Sequence, residues 1–324
     1  MLIAIDKFGN EIDAKDAKRN ERYYCPVCNS EVQLKRGDIK KEHFSHISIH
    51  MCERHLYNRE SELHLKLKHD LYFKFGQIFN VKMEYYLERI QQIPDLLIDD
   101  NHAVEIQLSK VSPTIILNRT KGYKKEGIDV TWLLKEEDLI LRGNLLYLTQ
   151  FHYAVMKDFV LYTVNNQLTV KRYVLLKNIE QNKWLFKIET IRYAEIFNHY
   201  CPLFSIETRS NDDLLSEIQK ERNKRSYLNP TISLLYQLSL NTNHLPKFLY
   251  YMTPSERFIN NNPLEWKLFL YHAAINKNYD FNQFVKSLSI RKVNGMSEYD
   301  IANRLLKEFK EIFRIANKIS CIKV

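Results

Sequence analysis

The stretch Pro94-Asp-Leu-Leu-Ile-Asp-Asp-Asn-His-Ala-Val-Glu-Ile-Gln-Leu108 decides how this chain reads. Pro94–Asp99 and Ala103–Leu108 are strands by composition, and Asp99-Asp100-Asn101 between them has turn chemistry. Side chains alternate faces along a strand, so Leu96 and Ile98 share the buried face with Val104, Ile106 and Leu108. Asp95 and Asp99 fall on the other face with Glu105 and Gln107. An odd-length loop centred near Asp100 sets Asp95 directly opposite Glu105. Two carboxylates that close repel unless a cation lies between them. Hard oxygen donors of this kind suit Mg²⁺ or Mn²⁺. Glu105, in the middle of an apolar strand, is the more telling of the pair, because an unpaired carboxylate there is expensive.

Working outward, Leu63, Leu67, Leu71 and Phe75 form an i, i+4 stripe that predicts a helix over 58–75. Glu62 and Lys66 lie one turn apart beside the stripe, and His64 and His69 read as helix-surface residues. Val81–Leu87 is a strand by composition. Ser112-Pro113 opens a second helix that Gly127 closes, and Ile128–Leu134 is another strand. The order is α-β-β-β-α-β. Arg119 and Tyr123 share one face of the second helix, as a packing pair or as phosphate contacts.

Upstream, Cys25-Pro-Val-Cys28 is followed by His43-Phe-Ser-His46, then Cys52 and His55. A C-x2-C pair followed at about this distance by two histidines is close to structural zinc spacing. Cys25, Cys28 and His43 are the first ligands to choose; His46 is the fourth, with Cys52 its competitor. The alternating Glu31–Arg36 segment and a turn at Gly37 fit a zinc ribbon. Four protein ligands close the coordination sphere, so the zinc is expected to be structural.

Downstream, Phe159–Val164, a turn at Asn165-Asn166 and Leu168–Val174 predict a hairpin; helical periodicity then covers 214–225, 263–276 and 297–320. Arg222-Asn-Lys-Arg-Ser-Tyr227 mixes basic and aromatic side chains in the way that serves phosphates and bases.

Composition bounds the function. The 324 residues carry 48 Lys and Arg against 39 Asp and Glu, with 45% hydrophobic residues, so the chain is globular. The excess is uneven: +1 over residues 1–60, −2 over 61–140 and +10 over 141–324. A basic half points to a polyanionic partner. Seven glycines supply no dinucleotide loop, P-loop or hydrolase elbow. Neither a transmembrane run nor a signal peptide is legible, and five cysteines do not make a disulfide scaffold, so the expected compartment is the cytoplasm.

The central order resembles the PD-(D/E)XK nuclease core. Cys25-x2-Cys28, His43-Phe-Ser-His46, Glu62-Leu-His64, Pro94-Asp95, Glu105-Ile-Gln107, Arg119-x3-Tyr123 and Thr131–Leu134 together resemble the CoiA competence proteins. The resemblance implies an α+β multidomain chain in three parts. These are a zinc-ribbon-like module (1–56), a restriction-endonuclease-like core (57–144) and a basic, mostly helical region with a hairpin (145–324). It implies DNA processing in natural transformation by a Mg- or Mn-dependent deoxyribonuclease, with single-stranded DNA and recombination or competence proteins as partners. The alternative is a non-catalytic DNA- or protein-binding factor that keeps the fold. Asp95 and Glu105 become metal ligands, and Glu62 a carboxylate that orients water or completes the metal site. Gln107 departs from the superfamily's usual Lys, since Gln brings no charge to the phosphate; Lys66 is the expected substitute.

Overall fold

The computed structural model describes residues 1–37, 41–47, 52, 61–180, 182–198, 200, 204–226, 228–293 and 295–321. His55, Tyr227 and the first residues of the expected helix at 58–60 lie outside these. The chain divides into two compact units, Met1–Pro202 and Leu203–Val324.

The first unit begins with a small antiparallel sheet of β1 (Ile3–Ile5), β2 (Glu11–Asp13), β3 (Tyr23–Tyr24), β4 (Glu31–Lys35) and β5 (His43–His46), ordered β2-β1-β3-β4-β5. Between β3 and β4 the chain turns sharply. The Asn29 N–H donates to the Cys25 carbonyl at 2.9 Å, with Asn29 in the left-handed region at φ 55°. Ala4, Ala14, Ala17, Tyr23, Val32 and Phe44 form its core together with Cys25 and Cys52.

Next come α1 (Glu62–Gly76), β6 (Val81–Met83), β7 (Leu96–Ile98), β8 (His102–Gln107), α2 (Pro113–Lys125) and β9 (Asp129–Lys135), in the order read from the sequence. Ser61 caps α1 by accepting from the His64 N–H at 3.2 Å. The stripe Leu67, Leu71 and Phe75 is buried against Leu96, Ile98, Val104 and Ile106. In the β7–β8 hairpin Leu96 pairs with Val104 and Ile98 with His102 around the three-residue turn 99–101. Asp99 and Asp100 both take positive φ there, 48° and 58°, which short polar side chains tolerate best after glycine. β7 begins at Leu96, so Asp95, expected opposite Glu105, lies just before the paired residues.

Strand pairing does not stop at residue 144. Beyond it run β10 (Ile140–Arg142), β11 (Leu145–Tyr147), α3 (Gln150–Val155), β12 (Val160–Val164), β13 (Val170–Glu180) and β14 (Lys183–Ile191). Among the described residues these join β6–β9 in one nine-stranded mixed sheet, ordered β10-β11-β14-β13-β12-β9-β8-β7-β6. β9 lies parallel to both β8 and β12, and the remaining neighbours are antiparallel. The hairpin read at 159–174 is present, with Val164 paired to Val170. Alternation identifies a strand but not the strand it pairs with, so the sequence sets a boundary inside what is one sheet.

The second unit is mostly helical: α4 (Asn211–Asn223), α5 (Pro230–Gln237), α6 (Pro263–Ile275), α7 (Phe281–Ser287) and α8 (Glu298–Cys321), with a two-stranded ribbon of β15 (Glu207–Thr208) and β16 (Tyr251–Met252). In α8, Ile301, Leu305, Phe309 and Ile312 make the buried stripe. Arg222, Lys224 and Arg225 are exposed. No helix among the described residues is long and apolar enough to cross a membrane.

Candidate functional site

Two constellations stand out, one of thiolates and imidazole, the other of carboxylates. In the small sheet, ligand atoms of Cys25, Cys28, His46 and Cys52 all lie within 4.8 Å of one another. Cys25 Sγ and Cys52 Sγ are 3.8 Å apart, and Cys28 Sγ and His46 Nε2 are 3.3 Å apart. Tetrahedral zinc with ordinary bond lengths sets such edges at about 3.8 Å for S···S and about 3.5 Å for S···N. The Val27 N–H donates to Cys25 Sγ at 3.4 Å, as it would to a thiolate. Burial raises the Cys28 thiol, but hydrogen bonds from Ser30, Cys52 and Cys25 outweigh it and hold it below its usual range. This Cys₃His group could hold a metal ion such as zinc.

His43 is not part of it, which corrects the expected ligand set. Residues three apart on a strand face opposite ways. Phe44 and His46 on β5 therefore turn toward the core with Val32 and Leu34, while His43 Nδ1 bonds to the Lys41 carbonyl at 2.9 Å. Cys52, the competitor in the sequence reading, supplies the fourth donor.

The second constellation sits where β7 begins and β8 ends. Asp95 Oδ2 accepts from the Ile106 N–H at 2.8 Å and lies 3.1 Å from His64 Nε2. Asp95 Oδ1 is 3.0 Å from Lys68 Nζ. Burial alone would raise the Asp95 carboxyl; Lys68, His64 and the Ile106 N–H hold it well below the usual carboxylate range. Lys68, only 1% exposed, also donates to Glu84 Oε1 at 2.9 Å. Glu84 follows β6, and its Oε2 accepts the Leu2 N–H of the small sheet at 2.9 Å.

Glu105 points to the other side of the sheet, under α2, so the two carboxylates expected on one face are turned apart, Asp95 to α1 and Glu105 to α2. Its Oε1 accepts from both Arg119 Nη2 and the Tyr123 hydroxyl. Arg119 also donates to the Ile93 carbonyl and to the Tyr123 oxygen, at 3.0 and 3.1 Å. Burial pushes the Glu105 carboxyl up to about 7, with the Asp95 charge adding to the rise against Arg119 and Tyr123. Burial and the Glu105 charge keep Tyr123 a protonated donor.

Several expected site residues stand elsewhere. Glu62 and Lys66 are exposed, whereas His64 and Lys68 reach Asp95. The reason is helical geometry. Residues 62 and 66 flank the Leu63–Leu67 stripe about 100° to one side, and 64 and 68 about 100° to the other. The stripe cannot say which flank meets the strand ends. His64 is thereby not a plain surface residue. Gln107 Nε2 donates to the Ser109 carbonyl at 2.6 Å. Arg119 and Tyr123 are spent on Glu105, Tyr123 being fully buried. Glu84 gave no sequence signal, because its role depends on strand β1, some 80 residues away.

The family description "Competence protein CoiA, nuclease-like domain" matches residues 60–205, and "Competence protein CoiA, N-terminal domain" matches residues 8–55. Competence protein CoiA of Bacillus subtilis (strain 168) is 32% identical over 140 residues, which is 42% of this chain and 37% of that protein. The aligned part is thus well under half of the curated relative's length. No solved structure matches the chain at a significant level. The two matched regions follow one another, hold the thiolate and carboxylate constellations respectively, and together take in more than half of the sequence; the chain belongs to the CoiA family of competence proteins.

Proposed function

We propose that this protein processes DNA during natural transformation, as a divalent-metal-dependent phosphodiesterase centred on Asp95, Glu105 and Lys68. The observation that carries this reading is two buried carboxylates at the same end of the β7–β8 hairpin, near enough for the Asp95 charge to act on Glu105, with a buried ammonium 3.0 Å from one of them. The α-β-β-β-α-β order supports a restriction-endonuclease-like core in residues 57–144, widened by the strands that follow. The family's nuclease-like domain supports DNA as the substrate, the cytoplasm being the expected place of action.

Asp95 and Glu105 are hard oxygen donors, and the cluster they belong to fits a cation. Glu84, Asp95 and Glu105 oppose Lys68 and Arg119, three negative charges against two positive. Bound Mg²⁺ or Mn²⁺ would supply Lewis-acid polarisation of the phosphate and a more acidic water. Lys68 is placed to turn a charged donor toward a phosphate oxygen, the task that uncharged Gln107 cannot do. His64 holds a proton beside Asp95 Oδ2, within reach of transfer. Arg119 and Tyr123 fix the rotamer of Glu105. In the amino-terminal module (1–56), zinc on the Cys₃His group would serve folding.

A second reading has its own support: both carboxylates already carry protein cations, as a retired nuclease that only binds DNA or protein would allow. Incubating single- and double-stranded DNA with Mg²⁺ or Mn²⁺ separates the two. Cleavage by the wild type that is lost in Asp95→Ala supports the enzyme. Binding without cleavage under every condition supports the second reading, and cleavage that survives Asp95→Ala marks a contaminant.

A further inference from the structure

We infer that Glu84 is a positioning residue for the carboxylate site, setting its affinity for a divalent cation through Lys68. This rests on the metal-dependent reading above. Glu84 is 5% exposed and stands in the left-handed region at φ 53°, a conformation that costs a non-glycine residue energy and persists only where its surroundings impose it. Three ties impose it. The Glu84 N–H donates to the Asp95 carbonyl at 3.1 Å. Its Oε1 accepts from Lys68 at 2.9 Å, and its Oε2 accepts the backbone N–H groups of Leu2 and Ile3 at 2.9 and 3.4 Å. The small sheet thus holds one end of Glu84 and the site holds the other.

The consequence is electrostatic. Lys68 Nζ lies nearly midway between two carboxylates, 2.9 Å from Glu84 and 3.0 Å from Asp95. Any metal ion on Asp95 competes with that ammonium. Glu84 gives Lys68 a second anion to rest on, so the ammonium can yield Asp95 without becoming an unpaired buried charge. Glu84 also leaves the five charged groups at net −1, with Glu105 ionised. Neutralising Glu84 would concentrate Lys68 on Asp95 and remove that excess. Because the anchor for Glu84 is the backbone of β1, the fold of the thiolate module and the cation affinity of the carboxylate site are coupled through one side chain.

The test is Mn²⁺ binding to the full, zinc-loaded chain, followed by electron paramagnetic resonance of the free ion, with thermal melting as the check on folding. Wild type should bind Mn²⁺, and Glu84→Gln about tenfold more weakly. Glu84→Asp, which keeps the charge, should recover affinity to within about threefold of wild type. Lys68→Met should bind more tightly than wild type, and in that background Glu84→Gln should change affinity by less than about threefold. Equal affinity of wild type and Glu84→Gln overturns the inference. The same tenfold penalty with and without Lys68 overturns its route through Lys68. Should Glu84→Gln not fold, Lys68→Met decides alone, and equal or weaker binding overturns the inference. A wild type that binds no Mn²⁺ overturns the metal reading itself, and this inference with it.

Discussion

The two constellations of the first unit solve opposite problems. The Cys₃His group converges four donors with no protein cation among them, at spacings that a tetrahedral ion demands. The carboxylate cluster is held together by protein donors, Lys68 and His64 on Asp95 and Arg119 on Glu105. The first arrangement would gain its stability from a metal and suits an ion that stays. The second keeps its shape through its own ion pairs, which suits an ion that arrives with substrate. The contrast shows that donor atoms alone do not define a metal site; what neutralises them beforehand decides how the metal behaves.

The largest effect should follow from emptying the first site. Replacing Cys25 and Cys52 by Ser together should reduce zinc content from about one equivalent to near none and unfold the small sheet, since structural zinc supplies roughly 10 kcal/mol or more to such modules. Elemental analysis and amide exchange over β1–β5 would read both outcomes. His43→Ala should leave the zinc in place, and loss of zinc there would restore His43 to the ligand set. The comparison breaks if the double variant stays folded without metal.

At the second site, Asp95→Ala should remove cleavage and also destabilise the unit by about 3–5 kcal/mol, because Lys68 is left buried beside one partner fewer. Denaturant midpoints measure the second effect independently of any activity. A cost within error would mean that the ion pairs do not hold this cluster together.

Acid separates the regions further. Burial lowers both His102, paired to the Thr131 hydroxyl at 2.9 Å, and His152, in the capping turn of α3, to about 4. Unfolded histidine titrates near 6.5, so the unfolded chain takes up protons first as pH falls. Stability contributed by these neutral rings is complete above about 6.5 and is lost progressively toward pH 4, on the order of 3 kcal/mol for each. Fluorescence of Trp132 and Trp184, buried on β9 and β14, should report the nine-stranded sheet in a Trp266→Phe background. Urea midpoints that do not change between pH 7 and 4.5 would contradict it.

The smallest effects should come from the flank of α1 that the site does not use. Glu62→Ala and Lys66→Ala are exposed changes and should alter stability by less than about 0.5 kcal/mol, with cleavage and Mn²⁺ affinity unchanged. A marked loss in either would move the working flank of the helix back to Glu62.

How much of this was legible beforehand follows the range of the interactions. The Pro94–Leu108 hairpin and its odd loop came from period-two alternation and local turn chemistry, which act within a few residues; that Asp95 turns to α1 while Glu105 turns to α2 did not. The order of six elements came in the same way, as did Cys25 and Cys28, which share one turn. Only the tertiary structure chose Cys52 over His43, because the parity of β5 matters only once its core face is known. It alone decided that Lys68 and His64, rather than Lys66 and Glu62, flank Asp95, since a stripe fixes a helix face but not its sense against the sheet. It turned Arg119 and Tyr123 inward onto Glu105 and carried the sheet from residue 135 on to 191. Glu84 is the clearest case: its partners Leu2, Lys68 and Asp95 lie just before β1, on α1 and just before β7, and no short-range pattern encodes a contact that folding makes across 82 residues.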